Sequence, residues 1–230
     1  MQAPIIAIDG PAGAGKTSAA RALAERLGFL LLDTGAIYRA VALVAREAGV
    51  PWTDEAGLGQ IACGLEIAFE PAPTGQRVLV AGRDRTADIR TPEISEGASQ
   101  VSARPAVRDA LLELQRRLGR AARVGLVVEG RDVGSVVFPA ATLKVFLTAS
   151  PEARAERRHQ ELLGRGLPSD LPATLHEIRK RDERDSTREA APLRVADRAV
   201  VLDTSGMPFA TVVAALEALY HKESGSADRG

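Results

Sequence analysis

The chain has 230 residues, 45% hydrophobic and 26% charged, with 30 basic and 30 acidic side chains and a formal net charge of zero. That is an ordinary globular balance, sufficient for one domain carrying an insertion. Zero net charge excludes a broad basic field for nucleic acid, and no run of about 18 apolar residues offers a membrane span.

"PIIAIDG" (4–10) is a short β-branched run that predicts a buried strand. It begins so early that no secretory leader is expected. Residues 16–27 carry Ala19, Leu23 and Leu27 at helical spacing and end at Gly28. "FLLLD" (29–33) predicts a second strand and 36–49 a second helix. This β-loop-α-β-α order predicts a parallel sheet covered by helices.

Residues 50–91 change character, with Pro51, Pro71, Pro73 and several glycines. "LEIAFE" (65–70) and "RVLVAG" (77–82) alternate as antiparallel strands around a Pro/Thr/Gly turn, so the segment predicts a small inserted lobe. Helices are expected over 92–102 and 105–120, and buried strands over 125–130 and 142–149. Ser150 and Pro151 open a helix over 150–166. A Gly/Pro-broken loop covers 164–172 and a highly charged helix 172–189. A fifth core strand (199–206), a last helix (about 208–221) and a disordered tail (223–230) complete the reading.

Gly10-Pro11-Ala12-Gly13-Ala14-Gly15-Lys16-Thr17 matches G-x-x-x-x-G-K-[ST], with a strand before and a helix after. Glycines let successive backbone N–H groups turn toward an anion, and the helix points its positive end at the same place. Lys16 reaches the outer phosphates, and the Thr17 hydroxyl is the candidate magnesium ligand, directly or through water. A nucleoside triphosphate with Mg²⁺ is the expected ligand. Glu129 ends an apolar strand; it either holds a magnesium-bound water or is a strand-terminal acid facing solvent.

Of the 30 basic residues, 26 are arginine and four lysine. Arginine grips phosphate through a planar fork, although a bias in codon usage gives the same excess. Several arginines follow the strand ends: Arg39 in "DTGAIYR", Arg131 beside Asp132 in "EGRDVG", and Arg154, Arg157 and Arg158 in "SPEARAERR". Arg181, Arg184, Asp185 and Arg188 have the spacing of one helix face. The competing reading is a solvated face of i,i+4 pairs, such as Asp185 with Lys180 or Arg181, and a surface pair of Arg39 with Glu47.

Six blocks in order, "IAIDGPAGAGKT", "LLDTGAIYRAVAL", "GASQVSARPAVRDALL", "VVEGRDVGSVVFP", "KVFLTASPEARAERR" and "RDERDSTREAAPL", resemble bacterial cytidylate kinases from about residue 4 to 206. The resemblance implies a five-stranded parallel sheet of the P-loop nucleoside monophosphate kinase type. Its core would comprise about 1–35, 103–150 and 173–222, with a nucleotide-binding insert over about 36–102 and a lid over about 151–172. It implies phosphorylation of CMP and dCMP by ATP, with Gly10 to Ser18 around the ATP phosphates. Arg154, Arg157 and Arg158 are the lid candidates toward ATP. Thr34, Arg39, Arg131 and Arg188 would meet the CMP phosphate, Ser99, Arg108 and Asp132 the cytosine, and Arg181 and Asp185 the sugar. Lys16, Arg131, Arg188 and Asp132 are the expected catalytic residues.

A cytosine edge offers N3 and O2 to an arginine and an N4 amino group to Asp132 and the Ser99 hydroxyl. Uracil has O4 there, which a carboxylate repels. Two departures stand out. Thr34 occupies a position where some members carry serine, so the hydroxyl survives. Many members read Gly-Lys-Gly-Thr or Gly-Lys-Gly-Ser where this chain reads Gly-Lys-Thr-Ser, which leaves Thr17 and Ser18 as rivals for the metal. On the residues alone, a kinase for UMP, AMP, shikimate or dephospho-coenzyme A, or an ATP-binding switch, stays open. A single cysteine, Cys63, fits a reducing interior, and a monomer in the cytoplasm is expected.

Overall fold

A computed structural model of the protein describes residues 3–72 and 75–227. Two units emerge: one contains the chain through Leu31 and from Ala122 onward, the other Leu32–Ala121.

The first unit is built on the expected sheet. Its strands are β1 (Ile5–Asp9), β2 (Leu30–Asp33), which begins in this unit, β6 (Leu126–Gly130), β7 (Leu143–Thr148) and β8 (Val200–Asp203), in the order β2-β6-β1-β7-β8. The pairing is parallel, with Ile5 opposite Leu126, Ile6 opposite Leu143 and Val145 opposite Val200. Central strands of such a sheet are apolar on both faces because helices cover both; Ile6, Ile8, Val127, Val128 and Leu147 are accordingly buried. The helices α1 (Lys16–Leu27) and α8 (Phe209–Ala227) pack Ala20, Leu23, Val212 and Leu216 against Ile6, Ile8 and Val145. Phe29 meets Tyr220 edge to face, with ring centroids 5.5 Å apart.

The helix α6 (Pro151–Gly164) starts as expected, its Ser150 hydroxyl accepting from the Ala153 N–H. The charged helix α7 spans Leu171–Thr187 and not 172–189. Arg188 leaves it in an extended conformation, so it does not continue the helical face of Arg181 and Asp185. Helix α8 continues through Ala227, so residues 223–227 of the expected disordered tail are helical, while 228–230 lie outside the described residues.

The second unit contains α2 (Thr34–Glu47), α3 (Glu55–Cys63), β3 (Ile67–Ala72), β4 (Gly75–Val80), β5 (Arg83–Asp84), α4 (Pro92–Val101) and α5 (Pro105–Arg120). Its antiparallel sheet, β3-β4-β5, sets Ile67 opposite Val80. The expected strands lie two residues off. Pro71 is inside β3, tolerated because β3 is an edge strand. Of the expected turn, Pro73 and Thr74 lie outside the described residues. Helix α3, missed in the sequence, is capped by Asp54, which accepts from the Gly57 N–H. The Trp52 indole donates to the Ala42 carbonyl and lies flat on Gly97, where an added Cβ would come within 2.4 Å of the ring. The division at Leu32 and Ala121 groups α5 with this unit, whereas the sequence boundaries at 36 and 102 leave it with the sheet.

Candidate active site

In the first unit, β1 ends in Asp9 and the chain turns through Gly10–Gly15 into α1. At Gly10 an added Cβ would stand 1.9 Å from the Leu147 carbonyl oxygen, so only glycine lets the loop leave the sheet here. Gly15 adopts the left-handed conformation that caps α1. Lys16, 5% exposed, donates from Nζ to the Pro11 carbonyl at 2.7 Å. The loop is thereby closed on itself by the side chain expected to reach phosphate.

Thr17 and Ser18, the two candidate hydroxyls, differ in their surroundings. Its hydroxyl donates to Glu129 Oε1 at 2.5 Å. Ser18 makes no such bond among the described contacts. Glu129 is buried at the end of β6 rather than facing solvent.

Beyond Glu129 the chain reaches Arg131, whose Nε donates to Asp185 Oδ2 of α7 at 3.0 Å. Asp185 thus pairs with Arg131, 54 positions away, and so is not simply a surface acid of an i,i+4 pair. Burial works against charge at both groups. It is outweighed at Arg131 by Asp185, and at Asp185 by Arg131, Arg181 and Arg188, so both stay ionised. Burial first, then the Arg131 guanidinium, depress the Lys16 ammonium to about 7, against the pull of Glu129. Arg181 depresses it further. Arg131 and Arg181 therefore each repel the Lys16 ammonium, an arrangement that an added anion stabilises. Arg188, also buried, donates from Nε to the Ala191 carbonyl.

Two acids that the sequence reading left without a role complete the site. Asp9, 4% exposed, accepts from the Val133 and Gly134 N–H groups at 2.7 Å each. These amides open the π-helical turn Val133–Val137 directly after Asp132. Burial raises the Asp9 carboxyl to about 6, partly opposed by those two amides and reinforced by the buried Asp132. The sequence signal was present, an acid closing an apolar strand at the root of the loop. Asp182 is the second; it holds Arg154.

The three lid arginines differ from the expectation of direct ATP contacts. Arg154 points inward and is 3% exposed, with four of its five N–H donors engaged by Ala12, Ala149 and Asp182. Arg157 binds the hydroxyl and the carbonyl of Thr204, after β8. Arg158 pairs with Glu161 one turn on.

The second unit carries the other expected substrate residues. Asp33 caps α2 by accepting from the Ala36 N–H at 2.9 Å, and its other oxygen accepts from Arg39 Nη2 at 2.6 Å. Arg39 is thus paired with Asp33, while Glu47 takes Arg85. The Arg39 Nε is buried without an acceptor among the described residues. Thr34 and Ser99 are buried. Arg108 stacks over the Tyr38 ring at 5.6 Å and donates to the Ser102 carbonyl at 3.1 Å; Tyr38 was not singled out from sequence.

A sequence model of the family described as cytidylate kinase matches residues 6–222. The cytidylate kinase of Pseudomonas paraeruginosa is 51% identical over 212 residues, covering 91% of this chain and 92% of that protein. That of Citrifermentans bemidjiense is 46% identical over 226 residues, covering 98% and 96%. That of Carboxydothermus hydrogenoformans is 48% identical over 211 residues, covering 92% and 94%. Among solved structures, a gluconokinase from Sinorhizobium meliloti superposes with a TM-score of 0.51 at 19% identity, covering 97% of this chain and 95% of that one, a likeness of fold.

Proposed function

The chain belongs to the cytidylate kinase family, and from that membership we infer that it phosphorylates CMP and dCMP with ATP. The observation that carries this reading beyond the family is the group of buried Lys16 and the partly buried Arg131 and Arg181, set with Glu129 and Asp185 at the rim of the phosphate loop. It suits a reaction in which a triphosphate and a monophosphate both bring negative charge.

In the proposed reaction an oxygen of the CMP phosphate forms a bond to the γ-phosphorus. The bond from that phosphorus to the bridging oxygen breaks, and ADP leaves with the electron pair. A phosphate monoester has a second pKa of about 6, so the acceptor is already mostly ionised near pH 7 and needs no strong base. The work of the chain is placement and charge neutralisation. Lys16 moves from the Pro11 carbonyl to the outer phosphates, while Arg131 and Arg188 neutralise the transferring group and the acceptor. We assign Asp132 to the cytosine amino group and Arg181 and Asp185 to the sugar. In the second unit we assign Ser99 and Arg108 to the base and Thr34 and Arg39 to the phosphate.

Hydroxyl and carboxylate oxygens at Thr17 and Glu129 are hard donors suited to Mg²⁺. Among the described residues no cluster of three His, Cys, Asp or Glu side chains is placed to hold a metal unaided, so the nucleotide would complete the ligand set. Thr17 would hold the ion, with Glu129 bonded behind it. When bound, Mg²⁺ neutralises phosphate charge. Among the described residues no helix is long and apolar enough to cross a membrane. We extend the proposal to a cytoplasmic monomer; the free thiol of Cys63 suits a reducing compartment.

The test is a coupled assay with ATP, Mg²⁺ and each of CMP, dCMP, UMP and AMP. CMP and dCMP are expected to be turned over far faster than UMP and AMP. Preferred turnover of UMP or AMP, or ATP hydrolysis indifferent to all four, overturns the reading.

A further inference from the structure

We propose that Arg154 and Asp182 are positioning residues for ATP, acting on the shape of the phosphate loop from behind and not on the nucleotide. The proposal rests on the reading of Gly10–Ser18 as the ATP loop. A loop that turns its N–H groups inward toward an anion turns carbonyls outward, into protein. A buried carbonyl needs a donor. Ala12 is buried, and its carbonyl receives Arg154 Nη1 at 3.0 Å.

The guanidinium is fixed on its other sides as well. Nε donates to the Ala149 carbonyl at 2.9 Å, at the end of β7. Nη1 and Nη2 make a fork to Asp182 Oδ1 and Oδ2 at 3.0 and 2.5 Å. One planar cation therefore joins the phosphate loop, the β7–α6 junction and α7. Gly13 packs on the same side chain, since a Cβ added there would lie 3.2 Å from Arg154 Cβ. The alternative role, a lid arginine on the triphosphate, finds four of the five N–H donors already engaged and the side chain only 3% exposed.

Asp182 immediately follows Arg181, and Asp185 lies one turn further along α7. The fork therefore also sets the helix that carries the cations felt by Lys16. A lysine at position 154 reaches at most part of this acceptor set, because an ammonium lacks the planar fork. Loss of the Ala12 bond lets the loop relax, and small misplacements of phosphate-binding groups are costly.

The experiment uses the full chain with Arg154→Lys and Asp182→Asn. It measures KM for ATP and for CMP, the ATP dissociation constant by calorimetry without CMP, and the thermal midpoint. Arg154→Lys is expected to weaken ATP, in KM and in calorimetry, by roughly tenfold or more, and Asp182→Asn by roughly threefold to tenfold. KM for CMP should stay within about twofold. A lowered midpoint with unchanged ATP affinity, or equal rises in both KM values, overturns the proposal. Should Arg154→Lys fail to fold, the nearly isosteric Asp182→Asn decides it. Absence of CMP phosphorylation in the wild type would sink the proposed reaction, while the calorimetric arm would still report on the loop.

Discussion

Arg131 and Asp185, 54 positions apart in sequence, are joined by a 3.0 Å hydrogen bond that links the end of β6 to α7, with Asp185 buried and Arg131 one-fifth exposed (20%). Removing one member of a fully buried pair leaves the other uncompensated, which costs about 3–5 kcal/mol. Asp185→Ala should lower unfolding free energy by about 1–3 kcal/mol, below the fully buried figure because Arg131 keeps some solvent, measured by urea denaturation. It should also weaken CMP more than ATP, because the proposed function gives Asp185 to the CMP sugar and the loop amides to ATP. An unchanged denaturation midpoint would show that the pair adds nothing.

The Thr17–Glu129 bond separates two hydroxyls that stand side by side in the sequence. Thr17→Val should cut kcat/KM by about a hundredfold, on the order of 3 kcal/mol of transition-state stabilisation. Raising Mg²⁺ should recover part of that loss. Ser18→Ala should stay within about threefold of wild type. Magnesium titrations of both variants check the assignment, and a larger loss at Ser18 would reverse it.

Asp9 gives a pH dependence of definite sign. Its folded pKa, about 6, lies above the ordinary 3.8, so the folded state holds the proton more tightly than the unfolded chain. Its contribution to stability is fully present below 3.8 and is lost as pH rises through about 6. Asp9→Asn removes that titration. Relative to Asp9→Asn, the ligand-free wild type should lose on the order of 2 kcal/mol between pH 4 and pH 7. Thermal unfolding of both at several pH values measures it; a constant difference across the range would contradict the raised carboxyl.

In the second unit, Gly97 faces the only tryptophan of the chain, with space for hydrogen alone. Gly97→Ala should push the Trp52 ring off the Ala42 carbonyl and cost about 1–3 kcal/mol. The indole emission should move as it loses its hydrogen bond. A stability within about 0.5 kcal/mol of wild type, with unchanged fluorescence, would refute the packing.

The sheet and the phosphate loop were legible because each depends on local signals: apolar runs, a glycine pattern and helix caps. Helix α3 was missed because Gly57 and Gly59 in nine residues dilute its periodicity; Asp54 as its cap was the surviving clue. The two-residue offset of β3 and β4 follows from Pro71, which reads as a breaker until its strand is known to lie at an edge. In the site, Lys16, Thr17, Arg131 and Asp185 were readable from motif and resemblance. Asp9 and Asp182 were not, since each gains its role from a partner far away in sequence: the amides of 133 and 134 for one, Arg154 for the other. Arg154 shows how residue type and surroundings can point different ways. Its residue type suggested phosphate, and only burial shows that its fork faces a carboxylate.

The 1.9 Å separation at Gly10 has a consequence for mutational drift. In a saturation library, every amino-acid change at position 10 should vanish under selection, because any side chain strikes the backbone of the adjacent strand. Position 15 is open, with nothing within 4 Å of an added Cβ, and its limit is torsional alone. Asparagine, which tolerates the left-handed region, should survive there at low frequency. Two identical letters of one motif are thus held by unequal forces, one by collision and the other by twist.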